Sequence, residues 1–239
     1  MTPLWWPQYP KPGNFGDILS PHLLKEMGHS IVPVGREACG KVMAIGSTVK
    51  FAQPGDVVWG SGLMWKTEKP TKEAKYLLVR GPITGGATGC RHYGDPALLA
   101  PVFWPRTVPQ TEHTGAIPHY VDYHKHDSWY TPQINILSDH PLCVLREMWK
   151  YHYILSSSLH GIILAHAYGI PAGWWRPSDS LDGDDVKFLD YAESVGITLT
   201  PAQHFGGVEY VLPDPGKIAE VQHTILRAGA KIQDALHSG

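Results

Sequence analysis

Residues 151–175 read YHYILSSSLHGIILAHAYGIPAGWW and contain no Asp, Glu, Lys or Arg over 25 positions. Three histidines, three serines, three glycines and Pro171 interrupt the stretch, whereas a membrane-spanning helix needs about 20 predominantly apolar residues. We therefore interpret it as a strand, a tight turn, a buried helix from about Leu159 and a further strand. Apolar strands without strict alternation are typical of a parallel sheet covered on both faces.

The same pattern recurs on both sides of this stretch and predicts an α/β fold of doubly wound, Rossmann-like type. Upstream, the predicted strands are 31–35, 41–51, 56–62 and 75–84, and 92–101 is a further unit of this kind. A helix is expected near 14–28, with Ser20 and Pro21 as its cap and first turn and Gly28 as its stop. Downstream, strands are predicted at 116–124 and 134–139, and helices at 140–151, at 185–196 and from about 215 to 237.

A change in composition divides the chain. The segment 104–116, WPRTVPQTEHTGA, is rich in Pro and Thr and is typical of a linker. We therefore expect an N-terminal α/β lobe at 1–105, a linker at 106–115 and a C-terminal α/β lobe at 116–239. A cleft between the two lobes would hold the functional site.

Charge and missing motifs exclude several classes of protein. The formal net charge is −2, and no basic run is present, which argues against nucleic-acid binding. Cys39, Cys90 and Cys143 are far apart, so a disulfide framework is not expected and a reducing cytoplasmic location fits best. No signal peptide is predicted at the N-terminus. P-loop, GxGxxG and GxSxG motifs are absent, which disfavours nucleotide hydrolysis, nicotinamide binding and esterase chemistry.

The segment Ser156–Gly161, SSSLHG, carries more polar groups than a helix cap requires. Free backbone N–H groups and the positive end of the helix dipole attract anions at a helix start. The hydroxyls of Ser156, Ser157 and Ser158 and the imidazole of His160 add donors to that position. An anion-binding site is one interpretation, and simple capping beside a buried histidine is the other.

Further candidates follow from the rule that ligands of parallel sheets bind beyond the carboxyl ends of the strands. Each also has a purely structural interpretation. The aspartates at such positions can cap helices or turns, and Arg80 either snorkels or clamps a carboxylate or phosphate. The candidates at or beside such ends are Asn14, Gly16, Asp17, Ser61, Arg80, Asp95 and His160.

Histidine and tryptophan are the other residue types that are abundant in this sequence. The pair His124-x-His126 could chelate a metal together with His113, His119 or His140. No HExxH motif or nearby cysteine accompanies them, so a polar loop is favoured and no metal site is predicted. The nine tryptophans are interpreted mainly as core and interface packing, with a sugar platform as the alternative.

Four motifs in this order resemble the polysaccharide pyruvyl transferase family, and the short bacterial members of exopolysaccharide synthesis in particular. They are NFGD from Asn14, RGP from Arg80, GDPALL from Gly94 and SLHGIILAHAYGIP from Ser158, and the resemblance spans about residues 14–175. It implies a two-lobed fold similar to GT-B glycosyltransferases. It also implies transfer of the pyruvyl group of phosphoenolpyruvate to a sugar as a ketal.

The resemblance also implies roles for individual residues. The family's functional aspartate, arginine and histidine fall on Asp17, Arg80 and His160, and many members carry Arg where this chain has Ser158. The donor would contact Ser156, Ser157, Ser158, Gly161 and Arg80, whereas Asn14, Gly16, Ser61 and Asp95 would be acceptor-binding or structural.

Partners and location follow from the same resemblance. Phosphoenolpyruvate is a co-substrate, so no cofactor or metal is implied, and the acceptor is a sugar such as a lipid-linked oligosaccharide. This places the protein in the cytoplasm, at the inner face of the membrane. The alternatives are a nucleotide-sugar glycosyltransferase on the same fold and a non-catalytic carbohydrate-binding protein.

Overall fold

Two parallel β-sheets organise the fold in a computed structural model that describes residues 1–123 and 131–238. The strands of the first sheet are β1 Thr2–Trp5, β2 Ile31–Pro33, β3 Val42–Met43, β4 Val57–Trp59 and β5 Lys75–Leu78. Those of the second are β6 Glu112–Ile117, β7 Tyr151–Ser156 and β8 Ala172–Trp174. Every pairing within both sheets is parallel. The predicted parallel α/β fold is therefore confirmed.

Eight α-helices are found in the described part of the chain. They are α1 Phe15–Glu26, α2 Pro82–Thr88, α3 Ala100–Phe103, α4 Pro141–Met148, α5 Leu159–Ala167, α6 Val186–Ser194, α7 Pro215–Gly229 and α8 Ile232–His237. Short 3₁₀ turns cover Val49–Phe51, Pro96–Leu99 and Phe205–Gly207. None of the described helices is long and apolar enough to cross a membrane.

The strand order of the first sheet, β2-β1-β3-β4-β5, reverses direction between β1 and β3. At such a switch point the loops that leave neighbouring strands run to opposite sides and open a crevice. The second sheet has the order β6-β7-β8. One continuous hydrophobic core, running from Leu4 in β1 to Ile154 in β7, joins the two sheets through α1, α5 and the Pro96–Leu99 turn.

The start of α1 differs from the prediction. The helix begins at Phe15, and the Asn14 side chain caps it by accepting a hydrogen bond from the Gly16 N–H at 3.2 Å. Ser20 and Pro21 lie in its middle instead of at its start, and the buried Ser20 hydroxyl accepts a hydrogen bond from the Ile45 N–H at 3.1 Å. The prediction was wrong because serine before proline is also compatible with a helix interior when the hydroxyl has a tertiary partner.

Two strand assignments also change. Residues 2–5, for which no strand was predicted, form β1 between β2 and β3. Residues 134–139, predicted as a strand, form only one isolated bridge, between Leu137 and Asn14. Strand pairing depends on a partner elsewhere in the chain, which a short segment does not reveal by itself.

The predicted domain boundaries do not describe the end of the chain. The Trp59 indole N–H donates to the Ile225 carbonyl at 3.0 Å, and the Lys75 ammonium donates to the Ala235 carbonyl at 2.8 Å. Helices α7 and α8 thus pack on the first sheet, although they were assigned to the lobe 116–239. The predicted linker 106–115 is also too long, because β6 begins at Glu112.

Candidate functional site

A cleft of about 310 Å³ lies where the carboxyl ends of the two sheets face each other. The first sheet contributes the loops that follow β1 and β3, and the second contributes the loops that follow β6 and β7. The residues around the cleft that carry chemistry are Asn14, Asp17, Ser47, Thr48, His119, Tyr120, Ser158, His160 and Lys187. The structure therefore brings together the predicted candidates Asn14, Asp17, Ser158 and His160.

His160 lies in the first turn of α5 with its ring almost fully buried. Its Nε2 is 3.7 Å from Asp95 Oδ2, and neither atom has a hydrogen-bond partner among the described residues. Its Nδ1 lies over Gly16, where an added Cβ would approach within 2.1 Å. Glycine at position 16 is therefore a steric requirement for this ring position.

Asp95 is fully buried and is anchored by one of its two carboxylate oxygens. Oδ1 accepts a hydrogen bond from the Ala97 N–H at 3.0 Å and so caps the Pro96–Leu99 turn. The other oxygen, Oδ2, faces His160. A fixed carboxylate behind the imidazole favours the tautomer that carries its N–H on Nε2.

Asp17 lies in the first turn of α1 and lines the cleft. Burial, with a smaller contribution from the charge of Asp95, raises its pKa to about 6 against the opposing attraction of His160 and Lys187. Hydrogen bonds from other described residues make no contribution to this shift. A carboxyl group with a pKa near neutrality is suited to proton transfer.

Lys187 is a cleft residue that the sequence reasoning missed. It is 7% exposed, and its Nζ contacts the Asp182 carbonyl oxygen at 3.1 Å and Met64 Sδ at 4.0 Å. Burial and, to a smaller extent, the charge of Arg80 lower its pKa to about 8. A lysine between apolar neighbours in the predicted helix 185–196 was the available signal.

His119 was considered only as a metal ligand, but it also lines the cleft. Its backbone N–H donates to Ser157 Oγ at 2.8 Å. Burial lowers the pKa of its ring to about 3, and Lys187 and His160 contribute to the shift. His119 is therefore a neutral hydrogen-bonding group at ordinary pH. It had been placed inside a predicted strand, whereas β6 ends two residues before it.

The serine-rich segment divides into structural residues and one cleft residue. Ser156 Oγ lies 2.7 Å from the Ile117 carbonyl oxygen and accepts a hydrogen bond from the Ser158 N–H at 3.0 Å. A Cβ at Gly161 would approach Ser156 Oγ within 2.3 Å, so this glycine permits close packing of α5 on the sheet. Ser158 is the N-cap residue of α5, but its side chain makes no capping bond and it lines the cleft.

Arg80 lies behind the cleft wall and is completely buried. Its guanidinium donates to Ser47 Oγ at 2.8 Å and to the Leu63 carbonyl at 2.6 Å, and its Nε is 3.5 Å from Asp190 Oδ2. This position corrects the expectation that Arg80 contacts the donor directly. It is a positioning residue that holds Ser47, which does line the cleft.

Ser61 has a comparable supporting place. It is buried, and its Oγ lies 3.0 Å from the Gly46 carbonyl oxygen and 2.8 Å from Thr48 Oγ1. It therefore shapes the loop after β3 from behind.

The histidines that were considered as possible metal ligands do not form a cluster in the described residues. His124 and His126 lie outside them, and His140 caps α4 by accepting the Leu142 N–H at 3.2 Å. Within 1–123 and 131–238, no three His, Cys, Asp or Glu side chains lie close enough to hold a metal ion. The aromatic rings of the cleft are Tyr9, Phe51 and Tyr120, whereas five tryptophans are buried elsewhere.

Comparisons with known proteins assign no activity to this cleft. No family model matches the chain. An uncharacterized protein of Acanthamoeba polyphaga mimivirus is 33% identical over 171 residues, which cover 64% of this chain and 59% of the viral protein. The chain therefore spans about three fifths of that relative's length, and the function has to be argued from the site.

Proposed function

We propose that this protein is a polysaccharide pyruvyl transferase with a GT-B-like arrangement of two lobes. It transfers the pyruvyl group of phosphoenolpyruvate to a sugar of an exopolysaccharide or cell-surface glycan precursor. The observation that carries the proposal is the meeting of Asp17 and His160 in one cleft. They lie in the first turns of α1 and α5, which follow strands of different sheets, and they are the positions on which the resemblance places a functional aspartate and histidine.

The chemistry requires proton transfer to a carbon atom and from two hydroxyl groups. A proton is added to the methylene carbon of phosphoenolpyruvate, which becomes a methyl group, while a sugar hydroxyl oxygen bonds to the adjacent carbon. A second sugar hydroxyl then bonds to the same carbon and displaces phosphate, which completes the ketal. Of the two hydroxyl protons, one replaces the proton given to the methylene carbon and the other leaves with phosphate. An acid and a base at one site meet this need.

Asp17 and His160 fit these two roles. Asp17 holds a proton at mildly acidic pH, because burial raises its pKa to about 6, and it supplies the proton for the methylene carbon. His160 accepts a proton from the sugar hydroxyl, and Asp95 positions its ring from the Nε2 side. Asp95 is then a positioning residue, since its free oxygen faces the imidazole and not the cleft.

The proposal extends to partners and location. A lipid-linked oligosaccharide as acceptor brings the protein to the inner face of the membrane from the cytoplasm. The cleft is open to solvent on one side and carries aromatic rings at Tyr9 and Tyr120, which are suited to stacking against a sugar ring.

The test is release of inorganic phosphate from phosphoenolpyruvate in the presence of a panel of lipid-linked oligosaccharide analogues. Mass spectrometry of the acceptor identifies the ketal. We expect phosphate release that depends on the acceptor and is lost in His160→Ala. Thermal shift assays compare phosphoenolpyruvate with UDP- and GDP-sugars and with free oligosaccharides. Stabilisation by nucleotide sugars alone, without phosphate release, would replace the proposal with a glycosyltransferase.

A further inference from the structure

Lys187 is a buried cation without a carboxylate partner. Among the described residues no Asp or Glu oxygen lies within 4.0 Å of its Nζ, and its hydrogen bond goes to the Asp182 carbonyl. Burying an ammonium group without an opposite charge costs several kcal/mol of solvation free energy. A group of this kind is stabilised when an anion binds beside it.

Charges of both signs surround Lys187. Arg80 lies behind the cleft wall and lowers the pKa of Lys187 by repulsion, whereas Asp17, Asp182 and Asp185, none of which forms an ion pair with it, raise that pKa. The first turn of α5 faces the same cleft, and Ser158 leaves its N–H groups without a side-chain cap. Backbone N–H groups at a helix start bind phosphate well. Lys187 and this turn thus provide donors on two sides of the cleft.

The other lysine at this cleft is a useful contrast. Lys50 is exposed at the mouth of the cleft, and its Nζ lies 3.3 Å from Glu68 Oε1. Its charge is therefore already paired and solvated. An anion gains little from Lys50, whereas it would satisfy an unpaired charge at Lys187.

We infer that Lys187 holds the phosphate group of the anionic substrate. Lys187 brings a positive charge to the cleft from α6, whereas Ser158 at the start of α5 is uncharged. The identity of the substrate as phosphoenolpyruvate rests on the proposed function, whereas the phosphate class rests on Lys187 and the α5 turn. The ligand chemistry is a phosphate monoester or free phosphate.

The experiment measures binding of inorganic phosphate and of phosphoenolpyruvate to the full chain by isothermal titration calorimetry. We expect Lys187→Met to weaken both affinities at least about tenfold, and Lys187→Arg to stay within about threefold of the wild type. Lys50→Met is the matched control and should change neither affinity by more than about twofold. Lys187→Gln is the second neutral variant, because its amide can keep the hydrogen bond to the Asp182 carbonyl. Circular dichroism checks that each variant is folded.

The outcomes separate this inference from the proposed function. If folded Lys187→Met and Lys187→Gln bind both ligands as the wild type does, Lys187 does not hold phosphate, even if phosphoenolpyruvate is turned over. A wild-type protein that binds neither ligand also overturns the inference. If the wild type binds phosphate through Lys187 but releases none from phosphoenolpyruvate, the phosphate site stands and the pyruvyl transferase proposal fails.

Discussion

A lysine and an aspartate lie near each end of the strands of the first sheet, but the two pairs are in opposite electrostatic states. At the amino edge, Lys41 precedes β3 and Asp56 precedes β4. Both are fully buried, and Lys41 Nζ lies 2.5 Å from Asp56 Oδ2. Asp56 also accepts hydrogen bonds from the backbone N–H groups of Lys41 and Gln53, at 3.1 and 2.8 Å. This pair is saturated with partners.

At the carboxyl edge, Asp17 and Lys187 line the cleft without such pairing. Burial raises the pKa of Asp17 and lowers that of Lys187, so in both residues the charged form is disfavoured. His160 Nε2 and Asp95 Oδ2 likewise lack hydrogen-bond partners among the described residues. The comparison teaches that burial alone does not identify a functional charge. A buried polar group without a partner does identify one, because its desolvation free energy is retained where a ligand can supply the missing partner.

The largest expected effect concerns two histidines on α5. His160→Ala should lower kcat for phosphate release by about 10²–10⁴-fold with little change in stability, because a proton-transfer group is lost and no hydrogen bond is broken. Steady-state kinetics and a thermal melt measure both quantities.

His166 is the control for this prediction, because both of its ring nitrogens have partners. Nδ1 is 2.9 Å from the Tyr191 hydroxyl and Nε2 is 3.0 Å from the Val211 carbonyl oxygen. His166→Ala should lower the Tm and leave the kcat of the folded enzyme unchanged. A fully active His160→Ala variant would place His160 with the structural residues.

The buried Lys41–Asp56 pair gives the next largest effect, which is on the free energy of unfolding. Asp56→Ala should reduce the free energy of unfolding by about 3–5 kcal/mol, because Lys41 would remain buried without its partner. Urea denaturation measures this loss. The double variant Lys41→Met/Asp56→Asn should recover part of the stability, since it removes both charges and keeps an oxygen acceptor for the backbone N–H groups of Lys41 and Gln53. A double variant as unstable as the single one would show that packing, and not the charge, sets the cost.

A substitution at Arg80 tests whether this buried arginine supports the structure or contacts the donor. Arg80→Lys should lower the free energy of unfolding by about 2 kcal/mol, because one ammonium cannot serve Ser47, Leu63 and Asp190 together. The KM for phosphoenolpyruvate should change less than about threefold. Denaturation and steady-state kinetics of the same preparation are the measurements. A tenfold rise in KM at unchanged stability would return Arg80 to the donor site.

The smallest expected effect is a gain in stability that depends on pH. The pKa of Asp17 is raised from 3.8 to about 6 in the folded protein, so the folded state binds more protons than the unfolded state between these values. Stability associated with Asp17 is therefore complete below about pH 4 and is lost as the pH rises to about 6. Asp17→Asn removes this loss and should raise the free energy of unfolding by about 1–2 kcal/mol at pH 7.5, and by almost nothing at pH 4.

Urea unfolding of the wild type and Asp17→Asn at both pH values measures this difference. Phosphate release by the variant should be largely lost, since asparagine cannot donate a carboxyl proton. An equal stability change at pH 4 and pH 7.5 would mean that packing and not ionisation is responsible. The Lys41–Asp56 pair provides the contrast, because its variants lose stability instead of gaining it.

The sequence by itself determined the α/β class and two of the three strands of the second sheet, whereas β6 at Glu112–Ile117 lies mostly in the predicted linker. The stretch 151–175 predicted β7, α5 and β8, and the structure places them at Tyr151–Ser156, Leu159–Ala167 and Ala172–Trp174. It also placed Asp17 and His160 at the carboxyl edges where the cleft lies. These features depend on local periodicity and on the polar groups that end a strand, and both are properties of a short segment.

The tertiary structure alone decided which charges are paired. Lys187 reaches the cleft and Arg80 stays behind it because α6 packs beside α2, where Asp190 accepts hydrogen bonds from the Thr84 N–H and hydroxyl at 3.0 and 2.6 Å. The placement of β1 between β2 and β3 and the return of α7 to the first sheet depend on equally distant partners. The desolvation of an ionised group and the presence of its counter-charge are set by residues far apart in the chain, so no local pattern contains them.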